Sequence, residues 1–188
     1  MKNKSFFTLV AAVSLTAVVF TSPLGAQLKN VQQPLSFAER NLGGPRLGVT
    51  YIIGGGDGQL VDKMKKKGIG TTISQFGWHF EYQIIPEGGG PQFVIQGIPF
   101  IGGVEYGTVI PSLTVAMGIR LPDGFEFGMG PTVVATGDRG VATSLVGAIG
   151  KSFNYGGVSI PINIAFATSP NGNRVSLVFG YAIATGTR

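Results

Sequence analysis

Ser74–Ile85 reads SQFGWHFEYQII, and its two sets of alternate residues differ in character. One set is Phe76, Trp78, Phe80, Tyr82 and Ile84; the other is Gln75, Gly77, His79, Glu81 and Gln83. Side chains on a strand point to opposite faces in turn, so the stretch separates an aromatic face from a polar one. A helix could not divide them so cleanly. The aromatic face must meet either a protein core or lipid, and in the second case the polar face lines the interior of a barrel.

The same alternation recurs on either side. Arg46–Ile53 sets Leu47, Val49, Tyr51 and Ile53 against Arg46, Gly48, Thr50 and Ile52. Downstream, Gly- and Pro-rich turn signals separate Gln92–Pro99, Gly103–Leu121, Gly124–Val134, Val141–Phe153, Val158–Phe166 and Val175–Ile183, each with an apolar alternate set. Parity shifts at Pro111, which either a bulge in one long strand or a break into two explains. Between the first two strands, Gln59–Lys67 places Leu60, Val61 and Met64 on one helical face, with Asp62 and the lysines on the other. Gly68 stands where such a helix stops. The predicted fold is therefore all-β: an antiparallel up-and-down β-barrel of about eight strands, with one short amphipathic helix between strands 1 and 2.

Composition agrees with hydrophobicity spread through strands. The 188 residues are 44% hydrophobic and only 12% charged, with 31 glycines. Beyond the N-terminus no apolar run reaches the ~20 residues of a spanning helix. Met1–Ala26 has a basic start at Lys2 and Lys4, an apolar stretch from Phe6 to Phe20 and a small-residue exit, and reads as a signal peptide. Gln27–Pro45 is polar and carries Pro34 and Gly43-Gly44-Pro45; it reads as a flexible arm, or a short helix around Ser36–Asn41. The barrel domain is then 46–188. With no cysteine there is no disulfide framework, no thiolate metal site and no lipid-bearing Cys anchor. The formal charge of +5 is modest and partly concentrated in Lys63, Lys65, Lys66 and Lys67, which argues against a nucleic-acid partner.

An export signal followed by about eight strands, branched or aromatic on one face and Gly, Ser, Ala, Thr, Gln or Glu on the other, resembles the small outer-membrane β-barrel proteins of Gram-negative bacteria. The resemblance covers Arg46–Thr185 and is one of pattern. It implies a cell outer-membrane location, outer-membrane lipid as partner, and a non-enzymatic role that is envelope-structural or that holds or passes a small solute. The alternative turns the apolar faces inward: an exported soluble barrel, periplasmic or secreted, with a small hydrophobic, lipid-like ligand in its interior. A third reading is an acyl-processing membrane enzyme.

Parity predicts an inward polar set of Gln75, His79, Glu81, Gln83, Glu105, Arg120, Glu126 and Asn163. Buried charges need partners, so Arg120 is expected to pair with Glu81, Glu105 or Glu126. His79 and Glu81 share a face, as a general base and its orienting carboxylate do. No serine follows them at the spacing of the acyl-processing barrels, and Ser74 has the opposite parity, so no catalytic residue is assigned. One histidine without cysteine gives no metal set, and no cofactor is expected. The lysines at 63, 65, 66 and 67 are either a solvated helix face or a contact for anionic lipid headgroups. Gly54–Gly58 and Gly88–Gly90 lack the Lys-Ser/Thr of a phosphate loop and read as turns.

Overall fold

Alternating strands that bury one face and leave no edge must close on themselves, and these do. The computed structural model describes residues 36–54, 59–136, 140–170 and 172–185. Strands β1 (Phe37–Gly54), β2 (Thr72–Pro86), β3 (Gln92–Gly102), β4 (Ile110–Arg120), β5 (Phe125–Thr136), β6 (Gly140–Tyr155), β7 (Val158–Ser169) and β8 (Gly172–Gly180) each pair antiparallel with the next. β1 pairs with both β2 and β8, which closes the barrel. A short β9 (Ala182–Ala184) continues β8 in register, pairing with the same two neighbours. The interruption at Tyr181 has a local cause: the registers set Pro45 of β1 and Pro161 of β7 beside it, and neither can donate to the ladder.

The stagger of the barrel follows from one row of paired residues. From Val49 the row runs through Leu177, Ile164, Ile149, Phe127, Ile119, Phe93 and Ile84, and it meets β1 again at Glu39. It therefore returns ten residues (49 to 39) along the strand on which it started. Such a shear goes with strands steeply tilted to the barrel axis and an eight-strand interior just wide enough for side chains to fill. Every residue between the two ends of the row is apolar, and all face outward.

Orientation is decided by adjacent residues of β2. Phe80 is 59% exposed and His79 is 0% exposed. Trp78, Phe76, Phe127, Met129, Ile164 and Leu177 share the exposed wall, whereas Glu81, Gln83, Arg120 and Glu126 are buried inside. The aromatic face of Ser74–Ile85 is thus the outer surface, and the interior is polar.

The two ends of the barrel differ. At one end lie the start of β1, the end of β9 and the tight connections β2–β3, β4–β5 and β6–β7, where glycines at positive φ (Gly89, Gly124, Gly156) make the turns. We call this the turn end. At the other, the helix α1 (Gln59–Lys66) connects β1 to β2. Its end is a Schellman closure: the Ile69 amide donates to the Met64 carbonyl at 2.9 Å and the Gly68 amide to that of Lys65 at 3.0 Å, with Gly68 at φ 69. Met64 packs with Ile52, Ile69 and Ile73, flanked by Val61, Tyr106 and Ile110. Full burial of such side chains contributes about 1.5–3 kcal/mol each, so α1 is anchored by its apolar face as a cap on the side of the mouth formed by β1, β2 and the start of β4.

Two sequence expectations are corrected here. Phe37–Pro45 are strand rather than arm or helix, because their outward positions Glu39, Asn41, Gly43 and Pro45 lack the apolar signature that marks the rest of β1. The signal segment 1–26 lies outside the described residues. Of the two readings left open for Gly103–Leu121, the break holds, but it falls at Gly103–Gly107 and not at Pro111. Gly103 and Gly107, at φ 80 and 64, bracket a 3-10 turn at Val104–Tyr106, and β4 begins only at Ile110. Pro111 sits inside β4, outward-facing and opposite Ile101, with no shift of register.

Candidate functional site

The successive inward residues His79, Glu81 and Gln83 of β2 form one side of a charged network across the lumen. The other sides come from Arg46 on β1, Gln96 on β3, Arg120 on β4, Glu126 on β5, Ser152 on β6 and Asn163 on β7. Arg120 is its centre. Its Nη1 donates to Glu81 Oε1 at 2.5 Å and its Nη2 to Oε2 at 2.9 Å, while Nε donates to Glu126 Oε2 at 2.8 Å. One guanidinium fork therefore serves two carboxylates, a geometry that a lysine could not supply.

The remaining lone pairs are also used. Glu81 accepts from Gln96 Nε2 at 2.9 Å and from Gln83 Nε2; Glu126 accepts from Asn163 Nδ2 at 2.5 Å and Ser152 Oγ at 3.3 Å. Arg46 Nη2 lies 2.9 Å from His79 Nδ1. A guanidinium only donates, so Nδ1 is the acceptor and the ring proton belongs on Nε2. Nε2 sits 3.1 Å from Glu81 Oε2 but outside hydrogen-bond geometry, so Nε2 and Arg46 Nη1 are buried without a hydrogen bond among the described residues. With His79 neutral, the charges of Arg46, Arg120, Glu81 and Glu126 cancel, as buried ions require.

A tier of hydroxyls lies between this network and the α1 cap. Thr50 Oγ1 donates to Gln75 Oε1 at 2.8 Å and is 2.7 Å from Ser176 Oγ; Thr114 and Thr132 meet at 2.8 Å; Arg174 Nη2 donates to Ser144 Oγ at 2.7 Å. A cavity of about 40 Å³ beside Gln96, Glu126 and Asn163, where Gly118, Gly128 and Ala148 leave space, has room for little more than a water. A larger depression of about 460 Å³ lies beside Phe80, Tyr82, Ile95 and Gly97, with Leu42 and Glu81 also in its lining.

Of the eight inward polar residues predicted, seven line the lumen: His79, Glu81, Gln83, Arg120, Glu126 and Asn163 in the ionic tier and Gln75 in the hydroxyl tier. Glu105 does not. It lies exposed in the 3-10 turn, where its carboxylate accepts from the Ser74 amide and hydroxyl, both at 2.6 Å. Slight desolvation against the turn pulls its carboxyl upward, but these two hydrogen bonds prevail and hold it below the ordinary carboxylate range. Tyr106 Oη bonds to the Thr72 carbonyl at 2.8 Å beside it, so this turn is clasped to the first residues of β2. Arg46 was legible by parity and went unassigned. Lys65, Lys66 and Lys67 are exposed on and just beyond α1, whereas the side chain of Lys63 lies outside the described residues.

His79 carries no nucleophile. Its nitrogens face Arg46 and Glu81, and no serine among the described residues bonds to it.

No protein-family model and no curated protein sequence matches the chain. Among solved structures it is similar to Ail, the attachment invasion locus protein of Yersinia pestis, in complex with the heparin analogue sucrose octasulfate. The identity is 11% and the TM-score 0.46, over 80% of this chain and 100% of that one. A second crystal structure of Ail matches at 10% identity and a TM-score of 0.43 over the same shares. No residue role is carried over from either.

Proposed function

We propose that the chain is a non-enzymatic outer-membrane β-barrel with an envelope-structural role, its lumen closed to solutes. The observation that carries this reading is the bridging of Glu81 and Glu126 by Arg120 in the middle of the barrel, beneath a mouth that α1 covers on its β1–β2 side. A solute would have to break the ionic tier and displace the cap. The exposed apolar wall supports a lipid surrounding, since a soluble monomer rarely leaves so continuous a patch in water. The polar lumen favours neither a lipid-like ligand nor acyl chemistry at His79.

In this reading residues 1–26 direct export, the turn end faces the periplasm and α1 faces the exterior. The lysines at 63, 65, 66 and 67 then meet anionic headgroups of the outer leaflet, where each cation near the surface contributes about 1 kcal/mol.

Two measurements test the proposal. Protein refolded into vesicles should migrate differently on gels before and after boiling and resist carbonate extraction; a carbonate-soluble protein with no mobility shift would overturn the membrane reading. In planar bilayers the inserted protein should give no stable conductance steps. Discrete steps would overturn the closed lumen and favour the solute-passing alternative.

A further inference from the structure

Among the described residues, Lys151 is the only cation on an outward-facing strand position. It sits on β6 between Phe125 of β5 and Ile162 of β7, its partners in register, with Ile149 and Phe153 as its own outward neighbours. Its Nζ lies 4.5 Å from the centroid of the Phe125 ring and 5.9 Å from that of Phe153. Both distances are within cation–π range, so the rings hold the long side chain in one place along the wall. No carboxylate among the described residues pairs with it. The other charged outward position, Glu39 on β1, is taken by the hydroxyl of Tyr82.

An ammonium carries three donors and is costly against hydrocarbon, so it must reach a polar layer with an anionic acceptor. Position supplies the layer. Phe125 is the first residue of β5, immediately after the tight turn at Leu121–Gly124, so Lys151 lies near the turn end where the wall emerges from lipid. A lysine there extends its charged head toward the interface while its stem stays on apolar surface. We infer that Lys151, framed by Phe125 and Phe153, is a binding site for the phosphate group of a phospholipid in the periplasmic leaflet. The phosphate takes the ammonium hydrogens that the rings leave unused, and an acyl chain lies along Ile149 and Ile164, which pair farther from the turn end. The inference rests on the membrane reading above.

The test compares wild type, Lys151→Gln and Lys151→Arg in detergent micelles, with retained phosphatidylglycerol counted by native mass spectrometry. Wild type and Lys151→Arg should retain the lipid, and half-saturation for Lys151→Gln should be about fivefold weaker, as expected for loss of one interfacial cation. Diacylglycerol with the same chains should bind all three proteins alike, and millimolar inorganic phosphate should not displace the phospholipid. Equal phosphatidylglycerol binding by Lys151→Gln and wild type overturns the site, as does displacement by inorganic phosphate. Heat-dependent gel mobility in vesicles is read in parallel. A wild type that fails to insert removes the membrane reading itself, whereas normal insertion with equal lipid binding removes only the Lys151 site.

Discussion

Arg120 and Glu81 stand 39 residues apart in the chain and are joined across the lumen by two parallel hydrogen bonds of 2.5 and 2.9 Å. Because the same guanidinium also holds Glu126, its removal strands two buried carboxylates at once. Arg120→Met is expected to destabilise the folded barrel by about 3–5 kcal/mol, read as a lower urea midpoint in vesicles. A quadruple variant, Arg120→Met and Arg46→Met with Glu81→Leu and Glu126→Leu, should recover most of that loss, because an apolar filling then leaves no buried ion unpaired. A quadruple variant as unstable as the single one would mean that the network contributes more than the pairing of its charges.

The Glu105 clasp carries a pH dependence of definite sign. Its folded carboxyl titrates below the ordinary value, so its contribution is fully present above that ordinary value and is lost as pH falls through the lower, folded one. Hydrogen exchange of the Ser74 amide should accelerate as the solution is acidified below the usual carboxylate range. In Glu105→Gln that acceleration should vanish, with exchange already raised at neutral pH.

Trp78 is the chain's one tryptophan and lies half exposed on the outer wall. On refolding into vesicles its emission should move to the blue, and lipids brominated along their acyl chains should quench it. Emission that stays insensitive to brominated lipid would show that the wall does not face hydrocarbon.

Much of this fold was legible because a strand's period of two turns composition into geometry. Ser74–Ile85 alone separates wall from lumen, and Gly68 marks the helix end by a backbone requirement that holds in any context. Failure came where that period was extended across a conformational break. Glu105 was assigned to the lumen by counting alternate residues past Gly103, whose left-handed backbone reorients the chain and makes the count meaningless. Phe37–Pro45 failed for the opposite reason: the pairing with β2 is complete there, yet near the turn end outward positions need no apolar side chain. The partners of each ion depend on which strands adjoin across the barrel and on its stagger, and no local pattern encodes those.

The interruption at Tyr181 bears on how such a chain is completed. Closure joins Arg46 to Gly180, a contact that forms only after the intervening strands are laid down, and non-local contacts of this kind are the slow ones in folding. At that seam Tyr181 donates to the Pro45 carbonyl at 3.1 Å and Pro45 has no hydrogen to return. The last staple of the cylinder is thus broken at one residue, between Gly180 and Ala182. Native-state exchange should find the amides of Ala182–Ala184 opening well before those of β5 and β6, and a seam as protected as the opposite wall would contradict this. An assembling barrel whose closing joint is broken between its first and last strands keeps a doorway in the plane of the membrane, and there the chain is zipped shut.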